Sequence, residues 1–144
     1  VPQLRDNAMR ARRIGLGLMG FADLLYHVGV RYGSREGQEF ASQVMEFIRY
    51  HAMKTSVKMA EERGFFPAIK GSLYDPEDLK WKVPQSLVEY EHDWGRPEVD
   101  WTSVEEGIKK HGIRSAAQTT VAPTGTIATV AGLLFNFISN RFLA

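Results

Sequence analysis

Apolar residues near the start of the chain recur every three to four positions, which is the spacing of one buried helix face. The recurrence runs through residues 6–28 and stops at Tyr32-Gly33-Ser34, where a glycine and a capping residue break it. The pattern therefore predicts a first helix over residues 6–28. Its predicted buried stripe consists of Ile14, Leu18, Phe21, Leu25 and Val28.

A second helical pattern follows from about Arg35 to Arg63. Ser34 is a favoured N-cap residue, Glu36 in the first turn suits the helix dipole, and Gly64 is a natural C-terminal stop. These signals predict one long helix. Its expected core stripe is Phe40, Val44, Phe47, Ile48, Ala52, Thr55 and Met59.

Residues 65–99 carry prolines and glycines in place of a periodic pattern, so an irregular loop is expected. Aromatic residues interleave with charges along this loop. They are better explained as anchors of the loop than as platforms on which nucleic-acid bases stack. A loop of this length is unusual inside a small domain. We therefore expect part of the surface on which it packs to lie outside this chain.

The next helix is predicted over residues 100–111, with Asp100 as its cap and Gly112 as its stop. An alternating run over residues 117–121 then predicts a short strand, and a last helix begins near Ile127. The predicted fold class is thus mainly α, an α/β arrangement of helices with one or few short strands.

The turn between the predicted strand and the last helix carries the clearest candidate chemistry; it reads Val-Ala-Pro-Thr-Gly-Thr-Ile over residues 121–127. The first amides of a helix lack internal acceptors and carry partial positive charge. Gly125 lets the backbone approach a ligand closely, and Thr124 and Thr126 can bond to phosphate oxygens. The same residues also suit an ordinary helix cap, and the missing lysine excludes a P-loop.

The run Gly15-Leu16-Gly17-Leu18-Met19-Gly20 matches the Gly-x-Gly-x-x-Gly pattern of dinucleotide-binding proteins. That fingerprint needs a hydrophobic strand immediately before its first glycine. Here the preceding residues are Arg10-Ala11-Arg12-Arg13-Ile14, which cannot form a buried parallel strand. We interpret the glycines as sites of close helix packing instead.

The amino-acid composition excludes several kinds of partner and site. Eighteen basic against seventeen acidic residues give a net charge of +1, which offers no electrostatic case for nucleic acid or an acidic membrane as a partner. The sequence contains no cysteine, so it holds no disulfide, Cys-based zinc site or cysteine nucleophile. Neither a signal pattern nor a membrane-length apolar run is found, and a cytoplasmic protein without bound metal is expected.

Several short motifs, each weak alone, are specific in their order and spacing over roughly residues 4–132. They are the run from Arg12 to Leu24, Gly29-Val30-Arg31-Tyr32, Glu61-Glu62-Arg63-Gly64, Asp100-Trp101, His111-Gly112-Ile113-Arg114, and Ala122-Pro123-Thr124-Gly125-Thr126-Ile127. In this order they resemble part of the catalytic large subunit of ribonucleotide reductase. The Pro-Thr-Gly-Thr-Ile form is most similar to the adenosylcobalamin-dependent (class II) branch.

The resemblance implies a ten-stranded α/β barrel that reduces the ribose 2′-hydroxyl of a nucleotide through a cysteine thiyl radical. In class II that radical starts from homolysis of the cobalt–carbon bond of adenosylcobalamin. The resemblance also implies that Thr124, Gly125, Thr126 and Ile127 hold the substrate phosphates. It places the Gly15–Gly20 region in a helix on the barrel exterior, which agrees with discarding the dinucleotide interpretation.

The family's radical cysteine and redox cysteine pair fall outside the matching segment. We therefore expect this chain to be inactive by itself, to bind no cobalamin alone, and to associate with the remainder of the reductase barrel or with itself. A helical protein-interaction module and a non-catalytic nucleotide-binding module are the alternatives.

The predicted organisation divides the chain into a partial barrel domain and a tail. Residues 1–132 form the domain, mostly helical over residues 1–112 and a strand–turn–helix unit over residues 113–132. Residues 133–144 diverge from the small, Ser-rich run expected of the family. We expect this tail to mark a junction: a truncated or interrupted gene, an intein boundary, or an artificially chosen end of the chain.

Overall fold

The computed structural model describes residues 1–132, and the tail predicted at residues 133–144 lies outside the described residues. Over residues 1–132 no strand forms, and a single isolated parallel bridge joins Leu16 to Thr119. The mainly α prediction is thereby confirmed. No helix within this range is long and apolar enough to cross a bilayer. The helices are α1 (Pro2–Ala11), α2 (Phe21–Val28), α3 (Arg35–Arg63), α4 (Trp101–His111) and α5 (Thr126–Val130).

The prediction of one helix over residues 6–28 is wrong. Helix α1 ends at Ala11. The next residue, Arg12, has a left-handed φ of 48° that turns the chain away, and α2 begins only at Phe21. Three glycines lie between the two helices, and each disfavours helix by about 1 kcal/mol relative to alanine. The predicted stripe is therefore divided, with Ile14 exposed and Leu25 buried.

The segment between α1 and α2 pairs with the predicted strand over residues 117–121. Leu16 N–H donates to Gln118 O, and Thr120 N–H donates back to Leu16 O, both at 2.9 Å. The predicted strand is reduced to this bridge because the paired stretch is only a few residues long. A Cβ atom on Gly17 would lie 2.8 Å from Thr120 O. These glycines thus permit two extended segments to approach closely, and the interpretation as helix packing was wrong.

The bounds predicted for α3 are confirmed. Ser34 Oγ accepts the N–H of Gly37 at 3.0 Å, and Gly64 follows the last turn. The predicted buried face is wrong, because only Phe40 of the expected stripe is buried. Several residues on the face of α3 that is buried in the structure are polar, because backbone amides far away in the sequence donate hydrogen bonds to them. Ser115 N–H, for example, donates to Ser56 Oγ. The buried residues of α3 are Gly37, Glu39, Phe40, Gln43, Tyr50, Met53, Ser56 and Ala60.

The main core lies between α3 and α4 and is closed by the irregular loop over residues 65–99. The cap predicted for α4 is confirmed, since Asp100 Oδ1 accepts the N–H of Ser103 at 3.2 Å. The first part of the loop packs within this chain, since it supplies three buried side chains to this core. The expectation that part of its packing surface lies outside this chain stays a prediction. The buried members are Tyr50, Met53, Phe66, Ile69, Trp81, Trp101, Val104, Ile108 and Ile113.

A second, smaller cluster joins α2 to the start of α3. Leu25 and Val30 pack there against Phe40, and Trp94 from the irregular loop covers the group. The rings of Phe40 and Trp94 meet edge to face with centroids 4.9 Å apart. The loop is therefore anchored at both of its ends, by the main core and by this cluster.

Candidate phosphate-binding turn

The predicted phosphate-binding residues Thr124, Gly125, Thr126 and Ile127 lead directly into α5. Gly125 is the N-cap residue, and Thr126 is the first residue of the helix. Thr124 has a left-handed φ of 49° and is half-buried, whereas the other three residues are exposed. The structure thus brings all four residues together at the surface of the molecule, at the start of a short helix.

Backbone donors of this turn are available to a ligand. Within residues 1–132, no acceptor engages the amides of Gly125, Thr126 and Ile127. Thr124 Oγ1 donates to Ala122 O at 3.2 Å, and no side chain caps α5. Adjacent unbonded N–H groups at the start of a helix are the arrangement that binds anions in many proteins.

Charged side chains are absent from the sequence around the turn: none occurs over residues 115–132. Attraction for a phosphate from this segment therefore comes from the backbone dipoles and from hydroxyl hydrogen bonds. Such groups fix the position of a phosphate oxygen through geometry.

An apolar groove of about 280 Å³ adjoins the turn. Thr124 lies at one side of it, Tyr32 and Phe21 line another, and Met45 of α3 contributes to its wall. Sequence patterns could not have identified this groove, because its residues come from four separate segments that share no periodicity. Its full lining is Leu18, Met19, Gly20, Phe21, Ala22, Tyr32, Ala41, Met45, Val121, Ala122, Pro123 and Thr124.

A carboxylate–imidazole pair that sequence patterns also missed joins Glu39 of α3 to His92 of the irregular loop. Glu39 Oε2 lies 2.7 Å from Nδ1 of His92, and its carboxylate is almost fully buried. No local signal in the sequence marks this pair, because the neighbours of Glu39 include the polar residues Gln38 and Ser42. The pair belongs to the anchorage of the irregular loop and has no contact with the predicted turn among the bonds described here.

Groups able to run radical or metal chemistry are not assembled in the described part of the chain. The sequence has no cysteine. Among residues 1–132, no three side chains of His, Cys, Asp or Glu lie close enough together to hold a metal ion. The turn at residues 124–127 therefore offers backbone and hydroxyl donors, and no metal-ligating group stands beside it in the described part of the chain.

Comparison with known proteins identifies the source of these features. Residues 1–135 match the ribonucleotide reductase barrel domain. A ribonucleoside-diphosphate reductase subunit alpha from Chlamydia pneumoniae is 33% identical over 137 residues, which cover 92% of this chain and 13% of that protein. A vitamin B12-dependent ribonucleoside-diphosphate reductase from Thermoplasma acidophilum is 37% identical over 132 residues, covering 92% of this chain and 13% of the relative.

A second vitamin B12-dependent reductase, from Mycobacterium tuberculosis, is 34% identical over 131 residues, or 91% of this chain and 14% of that protein. The chain thus spans about an eighth of the length of these curated relatives. The family match extends through the extended glycine segment, both core helices and the phosphate turn. The chain therefore belongs to the ribonucleotide reductase barrel-domain family.

Proposed function

We propose that this chain is a segment of the catalytic subunit of a ribonucleoside-diphosphate reductase, and that its turn binds the phosphates of the substrate. The observation that carries the proposal is the coincidence of the family match with three amides, those of Gly125, Thr126 and Ile127, that have no acceptor among residues 1–132. The substrate class follows from the names of the relatives, which are ribonucleoside-diphosphate reductases.

The proposed task of the turn is to hold and orient the substrate. The amides of residues 125–127 donate to phosphate oxygens, and the hydroxyl of Thr126 adds a further donor. Hydrogen bonds to a charged group contribute about 1.5–3 kcal/mol each. Fixing the phosphates in this way places the ribose at a defined distance, where catalytic groups from the remainder of the subunit act on it.

The cofactor of the whole enzyme is proposed to be adenosylcobalamin, which supplies the radical that begins nucleotide reduction. Two features support this: the Pro-Thr-Gly-Thr-Ile form of the turn, and the vitamin B12-dependent reductases among the relatives. The residues of this chain do not themselves fit the group. It offers no cysteine to receive the radical, and no metal-ligating cluster among residues 1–132.

The cofactor proposal predicts the requirements of the intact subunit. A subunit carrying this segment is expected to reduce a ribonucleoside diphosphate with adenosylcobalamin and a thiol reductant, without a second radical-generating protein. Product formation measured by chromatography, with and without adenosylcobalamin, checks this. Turnover that needs a separate metalloprotein and is indifferent to adenosylcobalamin would place the enzyme in another branch.

The proposed partner of this segment is the remainder of the reductase subunit, in the cytoplasm. Helix α1 buries none of its residues, and Leu4 and Met9 on it are exposed, as are Ile14 and Leu16 beyond it. A cluster of exposed apolar side chains is typical of a surface that another protein segment covers. The same observation favours the second candidate function, a helical module that binds a different protein through this surface.

A titration with a ribonucleoside diphosphate, followed by amide NMR, tests the phosphate site. We expect shifts centred on the amides of residues 125–127, and competition by inorganic phosphate. Thr126→Val removes one hydroxyl donor and keeps the side-chain shape, so it is expected to weaken binding by about 10-fold or more. Thr129→Val, an exposed threonine one turn later on the same helix, is the matched control and is expected to bind like the wild type.

Two results contradict the phosphate site. One is the absence of shifts at millimolar diphosphate; the other is equal weakening by Thr126→Val and Thr129→Val. Either would mean that the turn only begins a helix in this chain. Shifts confined to the apolar groove beside Tyr32, without any at the turn, would indicate binding through the base alone.

A further inference from the structure

A segment without regular secondary structure, residues 84–96, lies across α3 and is called here the strap. Side chains of α3 hold it along its length. Ser86 Oγ lies 3.0 Å from Ser42 Oγ, and Arg35 forms a 2.8 Å ion pair with Glu91. Near the far end, Arg96 pairs with a carboxylate of α3 at 3.2 Å. Because the strap has no ladder of its own, these side chains determine whether it stays closed.

The carboxylate of Glu39 is the centre of this attachment. It accepts the backbone N–H groups of Glu91 at 2.9 Å and His92 at 2.7 Å, and its second oxygen lies 2.7 Å from His92 Nδ1. Gln43 Nε2 donates to Glu39 at 3.0 Å and to His92 O at 2.9 Å. Every one of these donors comes from the strap or from one turn along α3. Loss of the negative charge on Glu39 therefore weakens several bonds at once.

The two partners differ in their access to solvent. The side chain of Glu39 is 3% exposed, whereas that of His92 is 45% exposed. The imidazole of His92 stacks on Trp94, with ring centroids 5.5 Å apart, and Trp94 in turn packs on Phe40. Protons can thus reach His92 from solvent while the strap remains closed, and the position of its ring is coupled to the packing of the strap.

The charges that face this pair favour its ionised form. The hydrogen bond to Glu39 raises the pKa of His92 above its ordinary 6.5 against the effect of burial, and the charges of Glu39, Glu36 and Glu91 raise it further. Burial raises the pKa of Glu39. The hydrogen bonds and charge of His92, with the amide of Glu91, outweigh this effect and hold that pKa below 4.5. Arg35 faces Glu91 and partly neutralises it.

We propose that the strap is a pH-gated cover, closed on α3 while Glu39 is ionised and His92 is protonated, and released when either condition is lost. Closure binds a proton at His92, so it is fully supported below pH 6.5 and lost as the pH rises through the raised pKa. Closure also requires ionised Glu39, so it is fully supported above pH 4.5 and lost as the pH falls through the lowered pKa. The strap is thus most firmly closed between about pH 4.5 and 6.5.

Opening of the strap would change the groove that lies between the strap and α3. A groove of about 560 Å³ lies between the first half of the strap and α3, with Ser42 and Glu46 on the helix side and Tyr90 on the strap side. Tyr90 OH bonds to both helix residues, at 3.1 Å each. Val121, at the beginning of the phosphate turn segment, also lines this groove. Release of the strap removes one wall of the groove and exposes the polar face of α3.

Hydrogen–deuterium exchange of this chain between pH 5 and 9 tests the gate. The exchange rates of the Glu91 and His92 amides are divided by their intrinsic rates, which leaves the protection due to structure. We expect this protection to fall above pH 6.5 by at most about tenfold per pH unit, the limit for one proton. His92→Gln is expected to remove the pH dependence. His51→Gln, on exposed α3 surface beside Phe47 and Tyr50, is the matched control and keeps it.

A second measurement uses only the wild-type chain, so it tests the proposal even if the His92→Gln variant does not fold. The ring protons of His92 in the wild type, followed by NMR, give its titration midpoint. This midpoint is expected above 6.5 and within the pH range over which the two amides lose protection. Protection that does not change between pH 6 and 9, or that changes equally in His92→Gln, overturns the proposal. So does a His92 midpoint at or below 6.5.

Discussion

Phe66→Ala is expected to lower the free energy of unfolding by about 3–5 kcal/mol, the range for deleting a buried phenylalanine ring. Phe66 is 2% exposed and belongs to the main core, although it lies in a segment without helix or strand. Its N–H donates to Ile113 O at 3.1 Å, so the backbone cannot easily collapse into the cavity. Urea denaturation followed by circular dichroism measures the change.

The adjacent Phe65 provides a matched control of the same residue type. It is 46% exposed, so Phe65→Ala is expected to lower the free energy of unfolding by only about 1 kcal/mol. Equal effects of the two substitutions would mean that the loop does not anchor the core in solution. An unchanged dependence on urea concentration in both variants is needed for this comparison, since it shows that the same surface unfolds.

Gly112→Ala is expected to be comparably severe, at about 2–6 kcal/mol, because two separate effects combine. Gly112 ends α4 with φ 69° and ψ −159°, a conformation essentially restricted to glycine. A Cβ atom there would lie 2.9 Å from Phe65 Cβ and 3.0 Å from Ile69 Cδ1. Both neighbours belong to the loop that covers the core, so this loop has to shift to admit the added methyl group.

Gly64→Ala separates the conformational effect from the steric one. Gly64 ends α3 with φ 77° and ψ 158°, a similar backbone conformation, but a Cβ atom at this position meets nothing within 4 Å. The expected loss is therefore about 1–3 kcal/mol, from backbone strain alone. Thermal and urea unfolding of both variants give the difference. A loss in Gly112→Ala no larger than in Gly64→Ala would show that the loop yields to the added methyl group.

The limits of α3 and α4 were predictable because they depend on local chemistry. Ser34 and Asp100 cap α3 and α4 through bonds to amides three residues away, and Gly64 and Gly112 end the same helices. The buried face of α3 was not predictable from apolar spacing. Glu39 is buried because amides more than fifty positions away bond to it, and no local pattern carries that information.

The candidate site, too, was predictable from the sequence only in part. The turn at residues 124–127 could be located from its proline, glycine and hydroxyl residues, and the structure confirms that a helix begins there. The predicted helix across Gly17 failed because the long-range bonds of the extended segment outweigh a local apolar period. The groove beside the turn was invisible to sequence patterns, since Tyr32, Met45 and Thr124 meet only in the folded chain.

The bridge between Leu16 and Thr119 has a consequence for synthesis of the protein on the ribosome. The two partners are separated by roughly 100 residues, so the first cannot pair until the second has emerged. At about 5–20 residues per second, the segment after α1 waits roughly 5–20 s with the backbone groups of Leu16 unpaired. During that interval it is an open edge that a chaperone or another nascent chain can engage, while α3 and its cap are already able to form.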